Sequence, residues 1–374
     1  MRFTIKREEF LKGLLTASRA VTGKASVVPV LSNLKMDLND LGLFITGSNY
    51  DLTIKTFVPY IIDNVEIIRN YSEGSILISS KIITDIARKM ESDELTFELV
   101  DSTVAVIGDF RSEYKLNCVR SEEYPDLDLD PTGTKVTLNR KEFDSLVNQT
   151  CFAASIKEQR PILTAINLEA SGDTITATAT DSARLAKKTV TFDGQASFVA
   201  NVPAKMLIEI NHLIENETNV SIAISDKKAL FTIGRTVVAT RLIAGEYPNT
   251  KGIVPSITNY SLEINANDLI KAIDRANILS LDRENVVDLS MSEAGISISA
   301  KSVQIGSSME KVDIFKYTGA PLKISFNSEF VISAVKALNC EDVTFLFVGE
   351  MRPFIVKNVK DDSVIQLVTP VRAN

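Results

Sequence analysis

Histidine is nearly absent from this chain of 374 residues, which has only His212, and cysteine is scarce, with Cys118, Cys151 and Cys340 far apart. Zinc sites need clustered Cys and His, so no zinc constellation is present, and no other metal or cofactor motif is found. The thiols are odd in number and each lies in a mostly apolar stretch, which predicts buried, reduced cysteines rather than a disulfide framework. His212, near the end of a predicted helix, reads as a surface residue rather than a base. No window offers the roughly 18 consecutive apolar residues of a membrane span. The N-terminus, MRFTIKREEF, lacks the apolar core and cleavage site of a signal peptide, so a cytoplasmic protein without membrane contact is expected.

An excess of basic charge is also lacking. Lys and Arg number 41 against 48 Asp and Glu, a net charge of −7, which argues against a protein that grips nucleic acid over its whole surface. Local charge differs: Arg7, Lys12 and Arg19, then Lys81, Arg88 and Lys89, fall on or beside the first two predicted helices, while Asp126, Asp128 and Asp130 gather in a connection. Catalytic motifs are missing too. Val21-Thr22-Gly23-Lys24-Ala25 lacks the earlier Gly of a phosphate loop, and Ala25 replaces the Ser or Thr that would hold magnesium. There is no G-x-S-x-G turn, and Asp181-Ser182 is a common turn pair with the one histidine elsewhere. A non-enzyme is expected.

What is present is repetition. Hydrophobic residues at 45% and charged residues at 24% describe an ordinary globular chain, long enough for two or three domains. In Lys135 to Cys151, KVTLNRKEFDSLVNQTC, alternating Val136 and Leu138 meet Asn139, and then Phe143, Leu146, Val147 and Cys151 recur at helical spacing. A strand therefore feeds an amphipathic helix, with Asn139 placed to cap it. The same pattern opens at Phe3, Ile76, Phe198, Leu262 and Leu322, about 60 to 73 residues apart, with Ser79, Asn265 and Asn327 in the cap place and Pro203 in the first helical turn.

Three strands are expected after each of the first three helices: 31–38, 41–46 and 52–58; 95–99, 104–107 and 114–119; 162–169, 174–179 and 184–190. Asn39-Asp40 and Gly47-Ser48-Asn49 mark turns between the first of these. Glu123-Tyr124-Pro125 and Glu246-Tyr247-Pro248 close the second and fourth units, since proline cannot donate to a sheet ladder. The expectation is an α+β protein of three similar domains, 1–125, 134–250 and 256–374, each of two strand-helix-strands units with helices on one side of antiparallel sheet.

Several stretches, in order, carry a resemblance: MRFTIKREEFL, VPVLSN, RPILT, TATDSARLA, GEYPNT, INANDLIKAIDRA, MRPF and the PVR near the end. Together they resemble the bacterial DNA sliding clamp, the DNA polymerase III beta subunit, over nearly the whole chain. Two departures stand out. Ser182-Ala183 replaces Gly-His or Ser-His, and Ala373-Asn374 replaces an aromatic or leucine ending.

The resemblance implies the DNA-clamp fold and a head-to-tail homodimer that closes a ring around double-stranded DNA, helices lining the hole and sheets outside. It implies a processivity factor that tethers the DNA polymerase III catalytic subunit, the clamp loader, other polymerases and repair proteins through a short peptide. Matched by position, the peptide pocket takes Leu163, Thr180, Ser182, Ala183, Arg184 and Leu185 from the middle of the chain. It adds Pro248, Ile253, Phe330, Met351 and Pro353, then Leu367, Thr369, Pro370, Val371 and Arg372. DNA contacts fall on Lys24, Lys81, Lys157 and Arg160, with Lys157 replacing a neutral residue and Pro161-Ile162 a tyrosine pair. The dimer would set Tyr114 and Leu116 of one chain against Ile278 and Leu279 of the next. The competing expectations are a monomeric α+β repeat scaffold without a DNA role, and an enzyme using Cys151 or Asp181.

Overall fold

The computed structural model describes residues 1–21, 28–214, 218–280, 285–302, 304–312 and 316–372. All six strand-into-helix passages form. β1 (Arg2–Lys6) enters α1 (Arg7–Ser18), followed by β2 (Asn33–Asn39), β3 (Gly42–Ser48), β4 (Leu52–Pro59) and the short β5 (Ile61–Ile62), β6 (Val65–Glu66) and β7 (Ile68–Ser72). β8 (Gly74–Ser79) enters α2 (Ser80–Lys89), then β9 (Glu94–Asp101), β10 (Val104–Gly108) and β11 (Glu113–Asn117). β12 (Thr134–Asn139) enters α3 (Arg140–Asn148), and two long strands follow, β13 (Ala165–Thr180) and β14 (Arg184–Pro203). β14 itself enters α4 (Ala204–Leu213), then β15 (Asn219–Ile224), β16 (Lys228–Ile233) and β17 (Thr236–Arg241). β18 (Tyr260–Asn265) enters α5 (Ala266–Asn277), then β19 (Val286–Ser292), β20 (Gly295–Ser302), β21 (Gly306–Val312) and β22 (Lys316–Thr318). Last, β23 (Leu322–Asn327) enters α6 (Ser328–Leu338), then β24 (Asp342–Phe347), β25 (Phe354–Lys357) and β26 (Val364–Val368).

Neighbouring repeats interlock. The strand that enters one helix pairs antiparallel with the strand that follows the other helix of its pair: β1 with β9 and β8 with β2, β18 with β24 and β23 with β19. This pairing also completes helix starts, whose first N–H groups have no partner within the helix. Arg7 donates to the Asp93 carbonyl, Arg140 to Thr218, Ala266 to Glu341 and Ser328 to Asn285, each at 2.8 Å.

The chain divides into two compact units, one of Met1–Arg140 with Glu209–Leu242 and one of Lys141–Ile208 with Ile243–Asn374. In the first, Phe10, Leu14 and Ala17 of α1 and Ile83, Ile86 and Ala87 of α2 share a core with Phe3, Ile5, Met36, Ile78 and Phe97. Its larger sheet runs β12-β15-β16-β17-β4-β3-β2-β8, with β17 laid against β4 from Thr236 opposite Thr56 to Thr240 opposite Leu52. In the second unit, α5 and α6 bury Leu269, Ile273, Val331 and Val335 with Ile264, Leu289, Ile324 and Phe345. Its larger sheet runs β13-β14-β26-β25-β24-β18-β22, with β26 laid against the start of β14. Smaller sheets are β11-β10-β9-β1-β7 in the first unit and β21-β20-β19-β23 in the second. No helix among the described residues is long and apolar enough to cross a membrane.

Several sequence expectations need correction. Ser79 makes no side-chain cap bond, whereas the Asn265 amide oxygen accepts from Asn267 and Asp268, and that of Asn327 from Glu329 and Phe330. The strands expected at 162–169 and 174–179 are one strand, broken in register only between Gly172 and Thr174, because β14 supplies a continuous partner. Residues 31–32 and 162–164 belong to 3-10 turns. Gly47 is in β3 rather than a turn, and a Cβ there would stand 2.2 Å from the Ala17 carbonyl oxygen, so glycine permits α1 to approach the sheet. Strand β7, unforeseen, covers the free side of β1. Cys118 and Cys151 are buried and all three thiols are free, but Cys340 is only half-buried. His212 is exposed, as expected.

The capping difference is measurable. Asn265→Ala and Asn327→Ala are each expected to cost about 1 kcal/mol and Ser79→Ala less than about 0.5 kcal/mol, read from denaturant midpoints.

Candidate functional site

The second unit holds a built turn where β13 hands over to β14. The Asp181 carboxylate accepts from the Ala183 and Arg184 N–H groups at 2.9 and 3.0 Å, and Ser182 takes φ 82° between them. An aspartate oxygen can satisfy two backbone donors two and three residues on, which is why Asp followed by small residues turns the chain here. The Thr180 hydroxyl closes the turn from inside, donating to the Arg184 carbonyl and accepting from the Ser182 N–H. Thr369 N–H then bonds the Ala183 carbonyl at 2.9 Å, so the end of the chain is stitched to the tip of the hairpin.

Beyond the turn, side chains alternate between the two faces of the sheet. One face carries Phe345, Phe347, Phe354, Val356, Val364 and Val368 into the helix-covered core. On the other, Leu185 stands opposite Leu367, Leu367 opposite Ile355, and Ile355 opposite Leu346, an apolar row crossing four strands. Leu185, Ile355 and Leu367 are buried, with Val254, Leu346 and Ile365 packed around them. Arg184, one residue before Leu185 and opposite Val368, lies on the other, helix-covered face. Its Nε donates to Asp181 at 3.0 Å, and its guanidinium lies 4.6 Å from the ring centre of Phe330 and 5.5 Å from that of Phe152. Planar, weakly hydrated guanidinium suits such stacking, so a cation here is held by a carboxylate and two aromatic faces.

The structure thus brings Leu185 against Leu367 and Ala183 against Thr369, with Thr180 and Ser182 in the same turn, while Arg184 meets Phe330 on the helix-covered face of the sheet. Pro248 and Ile253 belong to the segment after β17 that also delivers Val254. Met351 is exposed and Pro353 half-buried between β24 and β25. Pro370 is buried, Val371 donates to the Ser325 carbonyl, and Arg372 is exposed. Leu163 is buried in the 3-10 turn before β13. Phe152, Val254, Leu346, Ile355 and Tyr247 were missed from the sequence. The unbroken apolar runs 345–348 and 354–356 in and beside β24 and β25 carry the signal for Leu346 and Ile355, since a strand segment without polar alternation is covered on both faces. Tyr247 stood in plain view as part of a proline punctuation mark.

Lys81 is exposed on α2 in the first unit, and Lys157 and Arg160 are exposed in the second. Arg160 donates to the Ser182 hydroxyl at 3.2 Å, which links a residue expected at DNA to one expected in the pocket. Lys24, like Ala373 and Asn374, lies outside the described residues. Tyr114 and Leu116 are on β11, an edge strand of the five-stranded sheet, with Tyr114 41% exposed. Ile278, just past α5, is 66% exposed and Leu279 half-buried.

Covalent chemistry gains no support from the geometry. Burial pushes the Cys151 thiol up to about 12, against a smaller downward pull from the Thr150 hydroxyl, and a thiol needs its thiolate to attack. Asp181 is occupied as a turn acceptor and ion-pair partner.

Residues 1–128, 137–249 and 251–372 match, in turn, the N-terminal, central and C-terminal domains of the DNA polymerase III beta subunit. The chain is 30% identical to the beta sliding clamp of Bacillus subtilis (strain 168) over 377 residues, covering all of both chains. It is 32% identical to that of Staphylococcus aureus over 375 residues, covering all of this chain and 99% of the relative. Among solved structures, the DNA polymerase sliding clamp from Bacillus subtilis superposes with a TM-score of 0.96 at 30% identity, and the DNA polymerase III beta chain from Streptococcus pneumoniae with 0.95 at 31%, each over the full length of both chains. The chain belongs to the DNA polymerase III beta subunit family, the bacterial sliding clamps that act as processivity factors for DNA polymerase.

Proposed function

We propose that two copies of this chain join head to tail into a ring that encircles duplex DNA, slides on it without reading sequence, and tethers replication proteins through the groove at Thr180–Leu185 and Leu367–Arg372. In this reading the three domains span residues 1–125, 134–250 and 256–374. The observation that carries the ring is the rule by which sheets are joined. The third strand after α1, β4, pairs with the third strand after α4, β17, and β14, the second of the two long strands after α3, pairs with the third after α6, β26. Each junction therefore joins unit n to unit n+3.

Applied to α5, the rule calls for the third strand after α2 in another copy. β21 and β11, the two strands concerned, are both sheet edges. Both follow turns of the kind already used at a junction: Asp109 accepts from Arg111 and Ser112, and the Ser302 hydroxyl from Gln304 and Ile305. An edge strand is a row of unmet donors and acceptors, and a symmetric pair of such junctions closes a dimer without leaving either edge open. Exposed Tyr114 and Ile278, with Leu116 and Leu279, supply apolar contact beside it.

Sliding requires phosphate contacts, which hold a duplex without specifying sequence. Lys24, Lys81, Lys157 and Arg160 are the proposed contacts. The acidic remainder of a chain of net charge −7 keeps DNA off other surfaces, so the overall sign favours topological rather than adhesive retention. Partners at the groove would be the DNA polymerase III catalytic subunit, the clamp loader, other polymerases and repair proteins, each offering an extended peptide with apolar anchors. The row Leu185-Leu367-Ile355-Leu346 supports this, since peptide sites combine apolar floor with a few placed polar groups. No catalytic step is assigned to the chain, and a cytoplasmic location fits its role.

The protein should sediment as a dimer, and Tyr114→Asp or Ile278→Asp should weaken that dimer by about tenfold or more in analytical ultracentrifugation, as buried interface aromatics and aliphatics dominate binding. Loaded protein should stay on nicked circular DNA and run off after linearisation; equal loss from both forms contradicts the ring. Leu185→Asp places a carboxylate in the apolar row and should abolish binding to the DNA polymerase III catalytic subunit in a titration while leaving the dimer intact.

A further inference from the structure

The two Glu-Tyr-Pro motifs, which the sequence offers only as boundaries, sit at matching places in the two junctions. At the first, the Asn49 amide oxygen accepts from Asp51 and Leu52, Tyr50 takes φ 72°, its N–H bonds the Ser48 hydroxyl, and Arg241 N–H bonds the Asp51 carbonyl at 3.1 Å. Asp181, Ser182, Thr180 and the Thr369–Ala183 bond repeat that arrangement residue for residue. Tyr124 and Tyr247 each bring a mostly buried hydroxyl to the residue that begins the turn, and burial raises both above the ordinary tyrosine value.

The junctions differ in two respects. The row that reads Leu185, Leu367, Ile355 and Leu346 at the second junction reads Thr53, Ala239, Leu230 and Ala223 at the first, with far less apolar side chain. The second difference is the hydroxyl itself. Tyr247 Oη accepts from Thr180 N–H at 3.0 Å and reaches the Ala165 carbonyl at 3.5 Å. Tyr124 Oη, close to the Ser48 N–H, meets no hydrogen-bond geometry among the described residues.

We infer that Tyr247 is a positioning residue for docking: its hydroxyl ties the Thr180–Arg184 turn to the segment bearing Pro248 and Val254, and so fixes the separation of two walls of the peptide groove. This rests on the docking role proposed above. β13 is an edge of its sheet, so the Thr180 N–H has no further strand to bind and the tyrosine supplies the acceptor. Without that bond the turn is free to move away from the segment, and a partner peptide must bear the cost of ordering it at the moment of binding.

The test compares Tyr247→Phe, Tyr124→Phe and Leu185→Asp as intact dimers, titrated with the DNA polymerase III catalytic subunit of the same cell, with hydrogen exchange followed at the Thr180 amide. Tyr247→Phe should weaken binding by about three- to tenfold, the worth of one hydrogen bond, and speed Thr180 exchange without changing the dimer. Tyr124→Phe should leave affinity unchanged. Unaltered affinity and exchange in Tyr247→Phe, while Leu185→Asp abolishes binding, would overturn the positioning role alone. An equal loss of affinity in Tyr124→Phe would overturn it as well, since the hydroxyls would then act through general stability. Unaltered binding in Leu185→Asp would instead remove the docking groove on which the inference stands.

Discussion

The antiparallel ladder laid across each junction is the constraint from which the rest of the structure follows. A repeat that ends in a strand with open donors and acceptors cannot stop in water without inviting association, and β4 and β14 are each paired with a strand from a later repeat, while β11 and β21 remain sheet edges. At β17 and β4, and again at β14 and β26, that pairing turns two separately folded repeats into one continuous sheet. The compact units of the chain consequently gather around the junction sheets and divide at the start of α3, within α4 and just after β17.

The candidate groove is a by-product of that ladder. A junction needs a tight turn at the hairpin tip and a neighbouring strand end stitched to it, and both junctions have these. What makes the second one a candidate binding surface is side-chain size on the face away from the helices. Leucine and isoleucine there offer a partner an apolar floor, whereas Thr53 and Ala239 at the first offer little.

Charge works in the same division of labour. Exposed Lys81, Lys157 and Arg160 lie on a chain whose net charge is −7, and this modest, local basicity suits a protein retained by topology. Strong, general attraction to phosphate would slow motion along DNA and hold the protein at the wrong surfaces.

Much of this was legible in the sequence. Six strand-into-helix units were visible because helical and strand periods are local properties, and Asn265 and Asn327 declared their caps for the same reason. Ser79 misled because a cap needs the side chain to turn back on the helix, which composition does not reveal. Leu185 and Arg184 could be placed in a candidate site only by resemblance, since apolar residues on both faces of a strand look the same in one dimension. By itself the sequence determined the repeat, the strand-helix order and the acidic balance. Tertiary structure alone decided the interlocked pairing of repeats, the reduction of the third unit to two long strands, the row from Leu185 to Leu346, and Tyr247 as partner of Thr180. The Tyr247–Thr180 bond spans 67 positions and the Leu185–Leu367 pairing 182, and hydrogen-bonding partners at such distances are chosen by how sheets meet.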